Sequence, residues 1–288
     1  MLDIYFLWGT LIGIQYTPLG TMDRDLYQCV AGDLATKSVD TVPTEWTVNE
    51  AHEWLSENGY DVSPVVDGDQ PLGYIAIDDL AEAPGSETVS EHRQPITLEE
   101  IISTDADFGT VLSALYDEGF YFLGGRNQVT GILTRADLNT SPAYIHLYDQ
   151  LSLLEEALRD LILDEAPDWK ENDEIDLYHD EIRDIERRHQ QAESANIALE
   201  EIHYAQFSTL KKIIAAVELC WQACGFSNGD VAERDLSDVT DVRNAVAHSN
   251  LLIENTGQGL MEGRTVATLL DAYETIEGCI EALDAGSN

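Results

Sequence analysis

Two short runs carry side chains suited to chemistry. In Arg243-Asn244-Ala245-Val246-Ala247-His248, the histidine can take up or release a proton near neutral pH. The arginine offers a permanent charge and a planar fork of donors for an oxyanion. In Gly131-Ile132-Leu133-Thr134-Arg135-Ala136-Asp137, a threonine and an aspartate flank one arginine at an expected strand-to-helix junction. A helix N-terminus there would turn backbone N–H groups toward a phosphate, and a carboxylate one turn later can accept hydroxyl protons. Both runs also have plainer readings. Thr134 and Asp137 suit helix capping, and Arg243 could pair with Asp238 or Asp241 while His248 closes a helix end. Residues five apart on an ideal helix point about 140° apart. Arg243 and His248 therefore meet only if the arginine reaches round, the helix ends between them, or two subunits pool their pairs. Asn244 and His248, four apart, share a face.

The elements that must position the second run are written twice. Val48-Asn49-Glu50-Ala51 laid over Phe108-Gly109-Thr110-Val111 brings Leu55 onto Leu115 and Gly59-Tyr60 onto Gly119-Phe120, an offset of 60; after a two-residue deletion, GYIAIDDL from Gly73 falls on GILTRADL from Gly131. Each copy reads strand, amphipathic helix, strand, turn, strand, helix start. The helices EAHEWLSENG and TVLSALYDEG carry apolar residues at helical spacing and a glycine where a C-cap belongs. Strands are expected at Val62 to Val66 with Gly73 to Ile77, and at Phe120 to Leu123 with Gly131 to Leu133.

This duplication resembles the CBS pair, over roughly residues 30–140 with repeats at about 34–81 and 95–139. The motif carrying the likeness is Gly-h-h-Thr-x-x-Asp, whole in Gly131 to Asp137. The resemblance implies two repeats facing each other about a pseudo-twofold axis, with AMP, ADP, ATP or S-adenosylmethionine as an effector in the clefts. It assigns the ribose to Asp137, the phosphate end to Thr134 and a positive charge to Arg135. It makes Ile101, Ile102 and Ser103 the strand that lines the base pocket. In the first copy Ala76 stands where the threonine belongs although Asp79 matches, so one competent cleft is expected rather than two.

Beyond Ser141-Pro142, an N-cap with proline at the first helical position, strand signals stop. Helical periodicity marks a segment through Leu161, a charged one from about Ile175 to Ala195, STLKKIIAAVELCWQACG opening at Ser208 as N-cap, DVTDVRNAVAHSN capped by Ser237, and a last helix from Arg264 to Leu283. Five such segments make an all-α bundle over residues 141–288. The hexapeptide RNAVAH inside it resembles the Arg-Asn-x-x-x-His signature of HEPN domains. That likeness implies dimers and metal-independent cleavage of RNA, with His248 moving a proton at a ribose 2′-hydroxyl or leaving oxygen, Arg243 stabilising the transition state and Asn244 beside them. One branch of that family carries a modified tyrosine two positions after the histidine; Asn250 stands there.

The fold class expected is α+β multidomain, a CBS pair of α/β repeats followed by an all-α bundle of HEPN type. With 15 Lys+Arg against 55 Asp+Glu the formal charge is −40, and the lysines are Lys37, Lys170, Lys211 and Lys212. An apolar content of 44% is too high for a disordered solvating chain. Such acidity suits a salt-rich cytoplasm, where the Debye length falls to about 3 Å, and it disfavours an extended basic groove for RNA. Cys29, Cys220, Cys224 and Cys279 read as core thiols, with no metal site or required cofactor. Residues 1–29 are apolar but contain Asp3, lack a basic leader and are too short in apolar length for a membrane span. They are expected to be an upstream misassigned start before Met22, an added strand or a partner-binding arm. Two functions from different classes follow: an adenine-nucleotide-regulated, metal-independent ribonuclease using Arg243 and His248 in a homodimer cleft, with RNA as substrate, or a non-catalytic CBS sensor whose helical part dimerises or recruits a protein.

Overall fold

The computed structural model describes residues 27–68, 70–125, 128–254 and 263–286. The readings of the first 26 residues lie outside them. A short helix α1 (Ala31–Leu34) and strand β1 (Thr36–Lys37) lead into the first copy, which runs β2 (Val42–Pro43), α2 (Val48–Asn58), β3 (Val62–Asp67), β4 (Gln70–Ala76) and α3 (Ile77–Ala81). After a second leading helix, α4 (Val89–His92), the second copy runs β5 (Ile101–Ile102), α5 (Phe108–Asp117), β6 (Phe120–Gly125), β7 (Gln128–Thr134) and a 3₁₀ turn, Arg135–Asn139.

Local chemistry sets both long helices of the pair. Thr47 and Glu50 close a capping box at the start of α2, and the Asp107 carboxylate accepts the Thr110 N–H at 2.7 Å at the start of α5. Each satisfies N–H groups that a helix start leaves without partners. Val48, Ala51 and Leu55 form the buried stripe of α2, and Phe108, Val111, Leu112 and Leu115 that of α5. Gly59 ends α2 in the left-handed region at φ 69°, as the glycine signal predicts. The same signal misleads in the second copy, where α5 ends at Asp117 and the extended residue Glu118, not Gly119, closes it.

The two sheets repeat one pattern. β2 runs parallel to β3, and β3 antiparallel to β4; β5 runs parallel to β6, and β6 antiparallel to β7. Val65 lies opposite Gly73 and Leu123 opposite Gly131, and in both copies the register shifts at the next residue.

The leading segments are exchanged between copies. β1, which precedes the first copy, pairs with β7 of the second through Thr36–Ile132 and Lys37–Gly131, while Gln94, which precedes the second, bridges Tyr74 on β4. The Ala31 N–H donates to the Ala106 carbonyl at 2.8 Å, and in the corresponding place the Val89 N–H donates to the Trp46 carbonyl at 2.8 Å. The motif glycines allow this approach. A Cβ on Gly73 would sit 2.2 Å from the Gln94 oxygen, so the crossing chain needs glycine there, and one on Gly131 would sit 3.1 Å from the Thr36 oxygen, a tight approach.

The helical part runs α6 (Ser141–Glu165), α7 (His179–Ser194), a 3₁₀ turn Glu201–Tyr204, α8 (Phe207–Ala216), α9 (Glu218–Ala223), α10 (Gly229–His248) and α11 (Val266–Gly286). Two expectations are corrected. The N-cap expected at Ser208 lies two residues earlier, at Gln206, and the segment breaks into α8 and α9 at Val217, whose backbone is extended. Ser237 caps nothing: α10 begins two turns earlier behind Asn228, whose side chain accepts the Val231 N–H, and Ser237 bonds back to the Glu233 carbonyl inside the helix.

Three apolar cores organise the described residues. Val42, Leu55, Val65 and Ile75 fill the first copy, and Val62, Phe122 and Ile132 join the two sheets. The third core runs without interruption from α5 through α6 to α8, α10 and α11, so the second copy and the helical part share one interior. All four cysteines are buried free thiols. Among the described residues, no helix is long and apolar enough to cross a membrane.

Candidate functional site

A cavity of about 480 Å³ opens between the two copies, within the usual size of a small-ligand pocket. Its apolar walls are Val39 and Val62 from the first copy and its lead, and Phe120 and Ile132 from the second; Thr134 and Arg135 stand at its rim beside Ser38, Asp40, Tyr60 and Asp61.

Thr134 and Asp137 close on each other. The Thr134 N–H and hydroxyl both donate to Asp137 Oδ2, at 2.7 and 2.9 Å, and the Thr36 hydroxyl donates to Oδ1 at 3.2 Å. Asp137 is 8% exposed and lies behind the wall, not on it. Burial raises its pKa above the ordinary aspartate value, opposed by those three hydrogen bonds. Arg135 lines the cleft with its stem, while its guanidinium donates to the Leu115 and Tyr116 carbonyls at 2.8 and 3.3 Å. It thereby satisfies the last turn of α5. In the first copy, with Ala76 unable to bond, the matching Asp79 is exposed.

Ile101, Ile102 and Ser103 do not line this cleft. Ile101 and Ile102 pair with Phe122 and Leu123, and the Ser103 hydroxyl accepts the Asp105 N–H in the following turn at 3.3 Å. The segment after β1 lines it instead, through Ser38, Val39 and Asp40. Ser63 fixes Asp40 by donating to its carbonyl at 3.0 Å, and Tyr60 donates to its Oδ2 at 2.8 Å.

In the helical part, α10 continues unbroken through Arg243 to His248, and Ser249 closes it in the left-handed region at φ 53°. Arg243 turns toward α6, its Nε 3.2 Å from Glu155 Oε1, and Arg159 holds the other Glu155 oxygen at 2.6 Å. The arginine's partner is thus neither Asp238 nor Asp241. Asn244 and His248 are exposed. Within one chain Arg243 is therefore engaged with Glu155 while His248 stands exposed at the end of α10.

The sequence reading also missed a buried polar group. His146, 6% exposed, lies 3.1 Å through Nε2 from the Tyr273 hydroxyl and 3.3 Å through Nδ1 from the Tyr27 carbonyl; Tyr273 donates to Glu277 Oε1 at 2.9 Å. A carbonyl only accepts, so the Tyr27 contact calls for the ring proton on Nδ1, and Nε2 and Glu277 then compete for the single phenolic proton of Tyr273. Desolvation lowers the pKa of His146, partly offset by its bond to Tyr27 and by Asp149. Three metal-type donors also gather at Glu87, Glu91 and His92, within 4.8 Å of one another. There His92 Nε2 lies 2.6 Å from Glu87, and Glu91 caps the Thr88 N–H.

A family model described as CBS domain matches residues 31–86, which span α1, the first copy and the loop beyond it. No curated protein matches. Similar solved structures include a CBS domain-containing protein of unknown function from Bacillus anthracis, 19% identical over 38% of this chain and 88% of that one, TM-score 0.34. A putative acetoin utilization protein, AcuB, from Vibrio cholerae is 17% identical over 44% and 97%, TM-score 0.38. A structure of CBSX2 in complex with AMP is 20% identical over 40% and 97%, TM-score 0.35. The family match thus falls on the copy that lacks the motif threonine, and the copy with the whole motif is its structural twin.

Proposed function

We propose that this protein is a ligand-responsive regulator in which an adenosine-type effector enters the cleft between the copies and biases the helical part. The observation that carries this reading is the cavity of about 480 Å³ walled by Val39, Val62, Phe120 and Ile132: an apolar slot of the right size for a nucleoside, with Thr134 and Arg135 at its rim. Calorimetry with adenosine, AMP and ATP tests it. Binding lost on Ile132→Trp, which fills the slot, supports the cleft; the absence of heat from all three ligands overturns it.

The output assigned to the helical part is cleavage of RNA by a homodimer of HEPN type, with Arg243, Asn244 and His248 pooled between two copies of the chain. Exposure of Asn244 and His248 at the end of α10 favours this reading over a site closed within one chain. The salt-rich cytoplasm inferred from the charge belongs to the same picture, since screening eases the approach of RNA to an acidic protein. Incubation of RNA with wild type and His248→Ala, in EDTA and molar KCl, decides it. Cleavage by wild type alone supports the nuclease. Equal background from both leaves the non-catalytic sensor, whose helical part serves dimerisation or recruitment.

A further inference from the structure

The groups that would greet an anion in the cleft are already committed, and two carboxylates remain at its rim. Arg135 is the one cation among the lining residues, and its guanidinium is anchored on the carbonyls of Leu115 and Tyr116. The hydroxyl and N–H of Thr134 are turned onto Asp137. The 3₁₀ turn behind it has five residues, too few for a helix end that gathers an anion.

Beside them stand Asp40 and Asp61. Asp40 is held from both sides, by Ser63 through its carbonyl and by Tyr60 through its carboxylate. Its charge is felt locally: the hydrogen bond and field of Asp40 raise the Tyr60 phenol above its ordinary value. Both aspartates are exposed. A ligand tail leaving the apolar slot toward these carboxylates meets negative potential.

We propose that Asp40 and Asp61 set the charge preference of the cleft, so that it selects a nucleoside bearing positive charge beyond the ribose, of the sulfonium type, over a free nucleotide. This rests on the cleft reading above and narrows it. Like charges facing across a site act by exclusion, and specificity of this kind comes as much from repelling the wrong ligand as from attracting the right one.

The test is calorimetry on the full chain with EDTA, at the lowest KCl concentration at which circular dichroism shows it folded, using adenosine, AMP, S-adenosylmethionine and S-adenosylhomocysteine. The last two differ by one methyl group and the sulfonium charge. Wild type is expected to bind S-adenosylmethionine at least about tenfold more tightly than AMP, with S-adenosylhomocysteine between them. In Asp40→Asn/Asp61→Asn the gap should shrink to roughly twofold through tighter AMP binding, with adenosine unchanged. Asp61→Asn alone, which leaves the Tyr60 contact intact, should move part of the way. AMP binding wild type as tightly as S-adenosylmethionine, or a gap that survives the double substitution, overturns the charge preference while leaving the cleft standing. Failure of all four ligands, adenosine included, overturns both.

Discussion

Asp137 and Asp79 hold the same place in the two copies and meet opposite environments because of one neighbour. Thr134 gives Asp137 an N–H and a hydroxyl to accept, and Thr36 adds a third donor; Ala76 offers Asp79 no side-chain bond. Asp137→Ala would remove a cap and leave the Thr134 N–H without its acceptor, at about 1–2 kcal/mol. Asp79→Ala at an exposed site should stay within about 0.5 kcal/mol. Urea unfolding of the two variants measures the contrast, and equal losses would contradict it. His146 gives a pH dependence with a definite sign. Its folded pKa is depressed below 6.5, so the unfolded chain binds the proton more readily, and the stability it confers is present above pH 6.5 and lost as pH falls through the folded value. Stability measured from pH 7 to 5 should fall in wild type and fall less in His146→Gln; parallel curves would contradict it. The residue types at the cleft were only partly legible. Thr134, Arg135 and Asp137 stand out as a motif, whereas Asp40, Tyr60 and Asp61 are ordinary loop residues until the chain crossing brings them to one rim.

At the scale of elements, Asn139 ties the cleft to the end of α10. It closes the 3₁₀ turn that starts beside Thr134 and Arg135. Its Oδ1 accepts the Leu252 and Ile253 N–H groups at 2.7 and 3.0 Å, and its Nδ2 donates to the Ile253 carbonyl at 3.0 Å. Leu252 and Ile253 are buried, and they follow His248 by a few residues. Tyr144 grips the same stretch through the Asn250 carbonyl at 2.6 Å. Asn139→Ala leaves two N–H groups and a carbonyl without partners, a loss of about 2–4 kcal/mol in local stability. Hydrogen exchange should show faster opening at residues 249–253 with little change in α2; unchanged protection there would remove Asn139 as the tie. Element boundaries show where sequence signals stop. Ser208 and Ser237 are good capping types, but Asn228 and Gln206 stand at the actual helix starts, since a serine in a helix can bond back to the preceding turn, as Ser237 does. The break at Val217 carries no glycine or proline. The exchange of leading strands is a choice between two nearly equivalent partners, which alternation alone does not make.

Across the whole molecule, the duplication suggests two equal repeats and a separate bundle, but the cores divide the chain differently. The first copy closes its own interior around Leu55. The second shares its interior with the bundle, and Phe108 is the hinge of that sharing: its ring lies 4.8 Å from His146 on α6 and 5.2 Å from Tyr273 on α11, centroid to centroid. A disturbance at α5 therefore reaches α6 and α11 directly, while one at α2 reaches them only through the small joint of Val62, Phe122 and Ile132 between the sheets. Phe108→Ala, at about 3–5 kcal/mol, should lower hydrogen-exchange protection in α5, α6 and α11 together, because they open as one unit. Leu55→Ala, at roughly 2–5 kcal/mol, should confine its loss to α2, β3 and β4. If Leu55→Ala loosened α11 as much as Phe108→Ala does, the chain would be one cooperative unit with no privileged path. If neither reached α11, the shared interior would be too weak to carry a signal. The predicted asymmetry places the route from cleft to bundle through the second copy alone, the copy whose motif is whole.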